Sequence, residues 1–407
     1  MHPGRGSAPS RPRNPQIQLL KMRQASAFLA IILLALLPSC RNGGKAAQDS
    51  GVLKVDSVYY AHGFTIKYYK DCKVVSIRDP WDTLRVRKNY ILVDKERHSA
   101  KIPSDIPDEV RDNAVVIPVP VDRAVIYTSV HSAMAEQLGC IDRICGVCEP
   151  EYIISPEILS RVADGRIADL GMSTSPNIEK IIDLDAEVII ASPFENSGYG
   201  NAEKIGVPIV EAADYMEGHP LGRTEWVRFY GLLFGCRDRA DSLFFETCSK
   251  YDHLKSLVAD IPPQDKPTVI MERKYGALWG VPGAGSYVAL FHADAGADYI
   301  FSDLPGTSSV QLSFEEVFER AADVDFWLLK YGTKKPYTYS DLRSEYKPYS
   351  NFAAFRNHRI YTCNTLVTTY YDDITIHPDQ ILADLIYIYH PDVLPGHQPK
   401  YYFPMAE

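Results

Sequence analysis

The sequence predicts an α/β protein of two lobes, each built on a mainly parallel central sheet, joined by one long helix and preceded by a small β extension. Three observations lead there. Beyond Pro120, short β-branched apolar runs alternate with stretches of helical period, the pattern of βα units whose strands are covered on both faces. The alternation occurs in two series. Between them, Asp238 to Ala259 carries Leu243, Phe244, Tyr251, Leu254 and Val258 on a roughly helical period that ends at Pro262 and Pro263. Finally, 407 residues at 46% hydrophobic and 23% charged describe a folded chain too long for one core.

Taken in order, the first element is an export segment over residues 1–40. Ala25 to Leu37 is apolar except for Ser26, and is too short to span a bilayer but suited to a signal-peptide core. Lys21 and Arg23 precede it. Met22 is expected as the true start, because the Pro- and Arg-rich residues before it add nothing such a signal needs. Leu37-Pro-Ser-Cys40 resembles a bacterial lipobox, which makes Cys40 the expected lipidation site. Acyl chains there would replace the discarded apolar segment as membrane anchor. An ordinary cleaved signal with an incidental cysteine is the other reading. Residues 41–51 are polar and glycine-bearing, as a tether is.

Residues 52–117 form the expected β extension, with strand-forming stretches at Phe64 to Tyr69, Val74 to Arg78 and Tyr90 to Val93. Lobe 1 is expected over 118–237, with strands at Arg123 to Thr128, Ile144 to Val147, Val188 to Ser192 and Pro208 to Glu211. The connecting helix is expected over 238–262. Lobe 2 follows over 263–407, with strands at Thr268 to Met271, Val324 to Leu329 and Arg359 to Cys363, and helices at Phe314 to Ala321 and Pro378 to Ile388.

Composition narrows the function. A formal charge of -9, with Lys and Arg spread along the chain, gives no support for a nucleic-acid partner. Tyrosine, at 26 residues, is abundant; its flat face and polar tip suit binding surfaces, although packing within sheets accounts for much of it. With Cys40 lipidated, Cys72, Cys140, Cys145, Cys148, Cys236, Cys248 and Cys363 remain, an odd number that cannot all pair. Cys140, Cys145 and Cys148 cluster but lack a fourth thiol at matching spacing, so burial as small apolar residues is the better reading and no metal site is expected.

Several segments, distinctive in combination, carry a family resemblance. They are Val119 to Gly139, Ile144 to Val147, Gly171 to Ile190, Pro220 to Trp226, Trp279 to Tyr287, Asp294 to Tyr299, and Pro378 to Ile386 followed by His390 and Pro391. The strongest is Gly171 to Ile190, whose Pro176-Asn-Ile-Glu179 is similar to a Pro-Asn-Leu-Glu helix leading to a buried strand. Together they resemble the substrate-binding proteins for siderophores, haem and cobamides, especially tyrosine-rich lipoproteins of the Bacteroidetes, over essentially the whole mature chain. The resemblance implies the class III periplasmic binding protein fold, with a ligand in the cleft between the lobes. It further implies a monomer in the periplasm, held to the membrane by its lipid anchor, that carries an iron- or cobalt-bearing chelate to an ABC permease and its ATPase. No resident cofactor and no catalysis are expected.

In such a binder the ligand meets loops at strand ends of both lobes. In lobe 1 the candidates are Tyr127, Thr128, His131, Ser173, Phe194 and Tyr215, with Thr174 and Glu195 nearby. In lobe 2 they are Lys274, Tyr275, Trp279, Tyr287, Tyr370 and Tyr371, with Arg273 beside them. Aromatic faces could stack on a macrocycle or catecholate, and Lys274 or Arg273 could meet an anionic chelate. Packing, or a solvated cation, is the competing use of each. His131 could ligate iron or cobalt, although a hydrogen-bonded histidine is commoner. For permease docking the family uses glutamates at the starts of equivalent helices, a role that falls here on Glu179 and Glu315. The helix dipole alone also favours acids there, and Glu316 is adjacent to the second.

Two nearer alternatives weaken on inspection. A binder of free Zn or Mn would carry a histidine where this chain has Ser175-Pro-Asn-Ile-Glu. An enzyme would need a phosphate loop, a Gly-x-Ser-x-Gly elbow or a His-Glu-x-x-His helix, and the sequence has none. A surface or sensor lipoprotein that kept the fold without the transporter remains the runner-up.

Overall fold

The computed structural model describes residues 51–97 and 104–407. The apolar run, Met22, Cys40 and the tether as far as Ser50 lie outside the described residues.

The chain first forms a five-stranded sheet in the order β1 (Lys54–Val55), β2 (Phe64–Tyr68), β3 (Cys72–Arg78), β4 (Val86–Asp94) and β5 (Ala114–Val119). Strands β1 to β4 are antiparallel and β5 runs parallel to β4. Alternation sorts its side chains. Phe64, Ile66, Val75, Ile77, Tyr90 and Leu92 enter the main core, whereas Cys72, Val74 and Ile91 point the other way onto Tyr69 and Ile106. Strand β5 continues to Val119, two residues past the expected boundary, because Val119 still pairs with Asp94.

The next sheet has the order β10-β9-β6-β7-β8, all parallel. Along the chain its elements are β6 (Ala124–Ile126), α1 (Ser129–Gln137), β7 (Ile144–Val147), α2 (Pro156–Ala163), β8 (Ala168–Asp169), α3 (Ile178–Asp183), β9 (Val188–Ala191) and β10 (Ile209–Glu211). Every residue of β6, β7 and β9 is buried, as an unbroken apolar strand must be when helices cover both faces. Helices α4 (Pro220–Glu225) and α5 (Val227–Leu233) follow and are wholly buried.

Helix α6 (Arg237–Leu257) is the connector, and at 21 residues spans about 31 Å. Ala240, Phe244, Thr247, Cys248 and Tyr251 form its buried stripe. It stops at Leu257, short of the expected 262. Val258, Ala259 and Ile261 donate to carbonyls three residues back, a tightened end that precedes Pro262, whose ring disfavours helix in the residue before it.

The third sheet has the order β14-β11-β16-β17-β18, parallel except for β18. Its elements are β11 (Thr268–Met271), β12 (Lys274–Tyr275), β13 (Leu278–Pro282), α7 (Tyr287–Asp294), β14 (Asp298–Tyr299), β15 (Ser309–Leu312), α8 (Phe314–Ala321), β16 (Phe326–Tyr331), β17 (Ile360–Asn364), α9 (Tyr370–Ile376), α10 (Pro378–Tyr389) and β18 (Phe403–Pro404). Strands β12, β13 and β15 make a separate antiparallel sheet that the sequence reading did not anticipate.

The connector is not alone in joining the two parallel sheets. Helix α9 packs on α1 and α4, and α10 packs on α6. At Gly218 the backbone of one half meets that of the other so closely that a Cβ would lie 2.7 Å from the Gly285 carbonyl oxygen. The halves therefore meet along a closed seam.

The first sheet is fastened to this body by two buried carboxylates. Glu225, fully buried, accepts from the backbone N–H groups of Tyr59, Tyr60 and Ala61 at 2.8 to 2.9 Å and from Arg228 at 2.8 Å. Glu217 accepts from the N–H groups of His62 and Gly63 and from the Trp226 indole. Burial pushes the Glu217 carboxyl above its usual range, and these three donors offset it in part. Gly63 is required by this approach, since a Cβ there would sit 2.7 Å from the Trp226 ring. Among the described residues no helix is long and apolar enough to cross a membrane.

Candidate functional site

In parallel sheets, ligands are received beyond the carboxyl ends of the strands. In lobe 1 those ends lead into Tyr127 and Thr128 (β6), Cys148 and Glu149 (β7), Phe194 (β9) and Asp214 (β10); in lobe 2 they lead into Glu272 (β11), Lys330 at the end of β16, and the turn into Tyr370 (β17). The seam lies between these two edges.

Its centre is a buried polar chain. His131, in the first turn of α1 and 1% exposed, places Nε2 at 3.0 Å from Asp214 Oδ1. The other oxygen of Asp214 lies 3.6 Å from Arg223 Nη2. Burial alone would raise the Asp214 carboxyl, but the bond and charge of His131 and the Arg223 guanidinium outweigh it and hold it below its usual value. Arg223 crosses the seam: Nη2 donates to Thr375 Oγ1 on α9 at 3.1 Å, and the guanidinium stacks 4.5 Å from the Tyr287 ring of α7.

Four polar atoms in this cluster have no hydrogen-bond partner within the protein: His131 Nδ1, Asp214 Oδ2, Arg223 Nε and Tyr230 Oη. The Tyr230 ring lies 5.9 Å from that of His131. Thr128, at the N-cap of α1, leaves its hydroxyl free where a threonine would ordinarily cap the first turn. Buried polar groups are nearly always paired, with protein or with ordered water, so this concentration makes the seam the candidate site.

On the lobe 2 side, Lys330 pairs with Glu272 and lies 5.8 Å from the Tyr370 ring. Burial would lower its ammonium, yet the Glu272 carboxylate more than reverses this, so the charge is held. Tyr371, half exposed, packs edge-on to Tyr370 at 5.5 Å. Asp372 faces the Ser129 hydroxyl across the seam. Burial, with Asp373 alongside, raises its carboxyl to about 6 against the opposing Ser129 bond. Among the described residues no group of three His, Cys, Asp or Glu side chains converges to hold a metal.

The structure brings together His131, Thr128, Tyr287, Tyr370 and Tyr371. The others are committed to partners within their own lobe or lie exposed. Trp279 is sealed in the lobe 2 core, its indole donating to the Met271 carbonyl at 2.9 Å and stacking on Trp327 at 5.5 Å, because β13 turns this position inward. Tyr127 points to the opposite face of its sheet and packs with Cys148. Ser173 donates to Glu149, and Lys274 folds over the Tyr346 ring and bonds to Gly276, leaving Tyr275 94% exposed beside it. Arg273 pairs with Glu345. Phe194 is exposed next to Tyr215, whose hydroxyl is committed to the Pro193 carbonyl. Sequence reasoning passed over Asp214, Arg223 and Lys330. Arg223 stood within Pro220 to Trp226, and a lone arginine inside an otherwise buried helix is the signal that could have drawn it out.

Glu179 and Glu315 are exposed, each in the first turn of its helix. The adjacent Glu316 is spent on capping: it accepts from Ser313 N and Oγ at 2.7 Å. Asn177 likewise caps α3. Neither Glu179 nor Glu315 is needed for its cap. A groove of about 650 Å³ lies apart from the seam, between the β2–β3 turn and the start of α6, its lining including Lys70, Lys73 and Arg237 and the acids Asp71, Asp94 and Glu96.

Comparison with known proteins agrees with this architecture. The family model described as periplasmic binding protein matches residues 153–365, slightly over half of the chain. An uncharacterised lipoprotein of Methanocaldococcus jannaschii is 29% identical over 314 residues, covering 74% of this chain and 73% of that protein. The fold is shared with a periplasmic heme-binding protein from Roseiflexus (TM-score 0.53, 19% identity, 67% of this chain and 99% of that one). It is also shared with a protein of an ABC-type Fe3+-hydroxamate transport system from Saccharomonospora viridis (TM-score 0.51, 18% identity, 67% and 94%). The matched family is one of periplasmic binding proteins, which are not enzymes. The chain belongs to the periplasmic binding protein family.

Proposed function

We propose that this chain is a lipid-anchored extracytoplasmic solute-binding protein that takes an iron or cobalt chelate with anionic groups into the seam and hands it to an ABC permease. The observation that carries the reading is Arg223, buried at the seam, ion-paired with Asp214 in its own half, hydrogen-bonded to Thr375 in the other, and with Nε still free. A guanidinium so placed suits a carboxylate, phosphate or catecholate oxygen. Tyr287 and Tyr371 supply aromatic faces beside it, and Lys330 a second cation. A closed seam must part to admit a solute, and its contacts explain which groups a bound chelate would re-engage. The heme and Fe3+-hydroxamate proteins named above support the class of ligand, and Leu37 to Cys40 supports the anchor.

The test is titration of the purified chain with cyanocobalamin, heme, a ferric hydroxamate and a ferric catecholate, followed by tryptophan fluorescence and visible absorbance. Saturable binding of one of them at micromolar affinity or tighter is expected; none binding would refute the chelate reading. Docking is tested separately by Glu179→Arg with Glu315→Arg. Uptake should be lost with ligand affinity unchanged, and unaffected uptake would remove these residues from the docking role.

A further inference from the structure

Of the seven cysteines in the described residues, five sit singly. The other two do not. Cys140, in the turn between α1 and β7, and Cys236, at the N-cap of α6, place their sulfurs 3.6 Å apart although 96 residues separate them. The turn is tight: Gly139 takes φ +71°, and Arg239 lies against it while donating to the Gln137 carbonyl. Arg143 approaches from the same turn. Cys140 is buried, and Cys236 is partly open to solvent.

We infer that Cys140 and Cys236 form an intramolecular disulfide that staples the root of the connecting helix to the helix bearing His131. The inference rests on the extracytoplasmic placement proposed above, since such bonds persist in oxidising compartments. The bond forms by exchange with a disulfide-carrying thiol oxidant. One thiolate of the pair attacks the oxidant's disulfide and releases one of its sulfurs; the second attacks the mixed disulfide and releases the other. Two electrons and both thiol protons pass to the oxidant, which leaves as a dithiol. The local field favours the first step. The hydrogen bond from Cys236 holds the Cys140 thiol down to about 7, with Arg143 and Arg239 adding to it against burial, and the same bond pushes Cys236 up.

The test is equilibration of the purified full chain in a glutathione redox buffer, alkylation of free thiols, and peptide mapping without reductant. A linked Cys140–Cys236 peptide is expected, with the other five described cysteines alkylated after unfolding. Closing a loop of this length should raise Tm by about 5 °C, a gain abolished by reductant in the wild type and absent in Cys236→Ser. Quantitative alkylation of both thiols in the oxidising buffer would overturn the inference. Alkylation directly in cells reads the compartment separately: a chain that links in the buffer but is found reduced in cells refutes the extracytoplasmic placement and not the pair.

Discussion

Replacing Glu225 with alanine should loosen the N-terminal sheet from the body of the protein at a cost that the structure allows to be worked out. The carboxylate holds three backbone N–H groups, those of Tyr59, Tyr60 and Ala61, and the Arg228 guanidinium, all with no exposure of its own. Arg228 keeps Asp241 and the Ser57 carbonyl, so it is not stranded. The N–H groups of Tyr59 and Tyr60 lie in a partly exposed stretch and can find water, whereas that of Ala61 is buried. One stranded donor costs about 1 to 3 kcal/mol, the charge-assisted bond lost by a still-partnered Arg228 about 1.5 to 3 kcal/mol, and the two bonds exchanged for water about 0.5 to 1 kcal/mol each, so about 5 kcal/mol is expected in total. For a body of roughly 350 residues the unfolding entropy is about 0.7 kcal/mol/K, which converts this to a fall of about 7 °C in Tm. Calorimetry measures the fall, and hydrogen exchange at residues 59–63 locates it. A fall below about 2 °C, or exchange unchanged at those amides, would refute the view that these carboxylates fasten the extension.

Three further outcomes follow from the seam and the core. Thr128→Val removes a hydroxyl with no partner in the protein, so Tm should hold or rise while affinity for the bound chelate falls about tenfold; a drop in Tm with affinity intact would make the hydroxyl structural. Asp372 is raised by burial from its usual 3.8 to about 6, so its contribution to stability is complete below pH ~4 and is lost as pH rises through 6. Asp372→Asn should therefore match the wild type near pH 4 and exceed it by about 3 kcal/mol at pH 7.5 in thermal unfolding; an equal difference at both values would refute the assignment. Trp279→Leu should lower Tm through the cavity left beside Trp327 while leaving chelate affinity within about twofold, because the indole is core; a large loss of affinity at unchanged Tm would return it to the cleft.

The sequence by itself determined the α/β class, the two series of βα units and the long connecting helix. Each of these is written in a local pattern: the short β-branched apolar run Val188 to Ala191, stopped by Ser192-Pro193, fits a strand covered on both faces, and the stripe of α6 fits one side of a helix. The capping box of Ser313 and Glu316 is equally local, spanning a single turn, although the sequence reading passed over it. What a side chain does at the end of a strand was not legible. Tyr127 and His131 are four residues apart, yet a strand end and a helix start send them to opposite sides of the sheet. Trp279 and Tyr287 both looked like binding aromatics, and only the register of β13 sends the first inward. Asp214, Arg223 and Thr375 are separated by up to 161 positions and carry no shared motif. Their meeting depends on how α4, α9 and the end of β10 pack, and that packing is set by contacts between elements distant in sequence, to which a local period is blind.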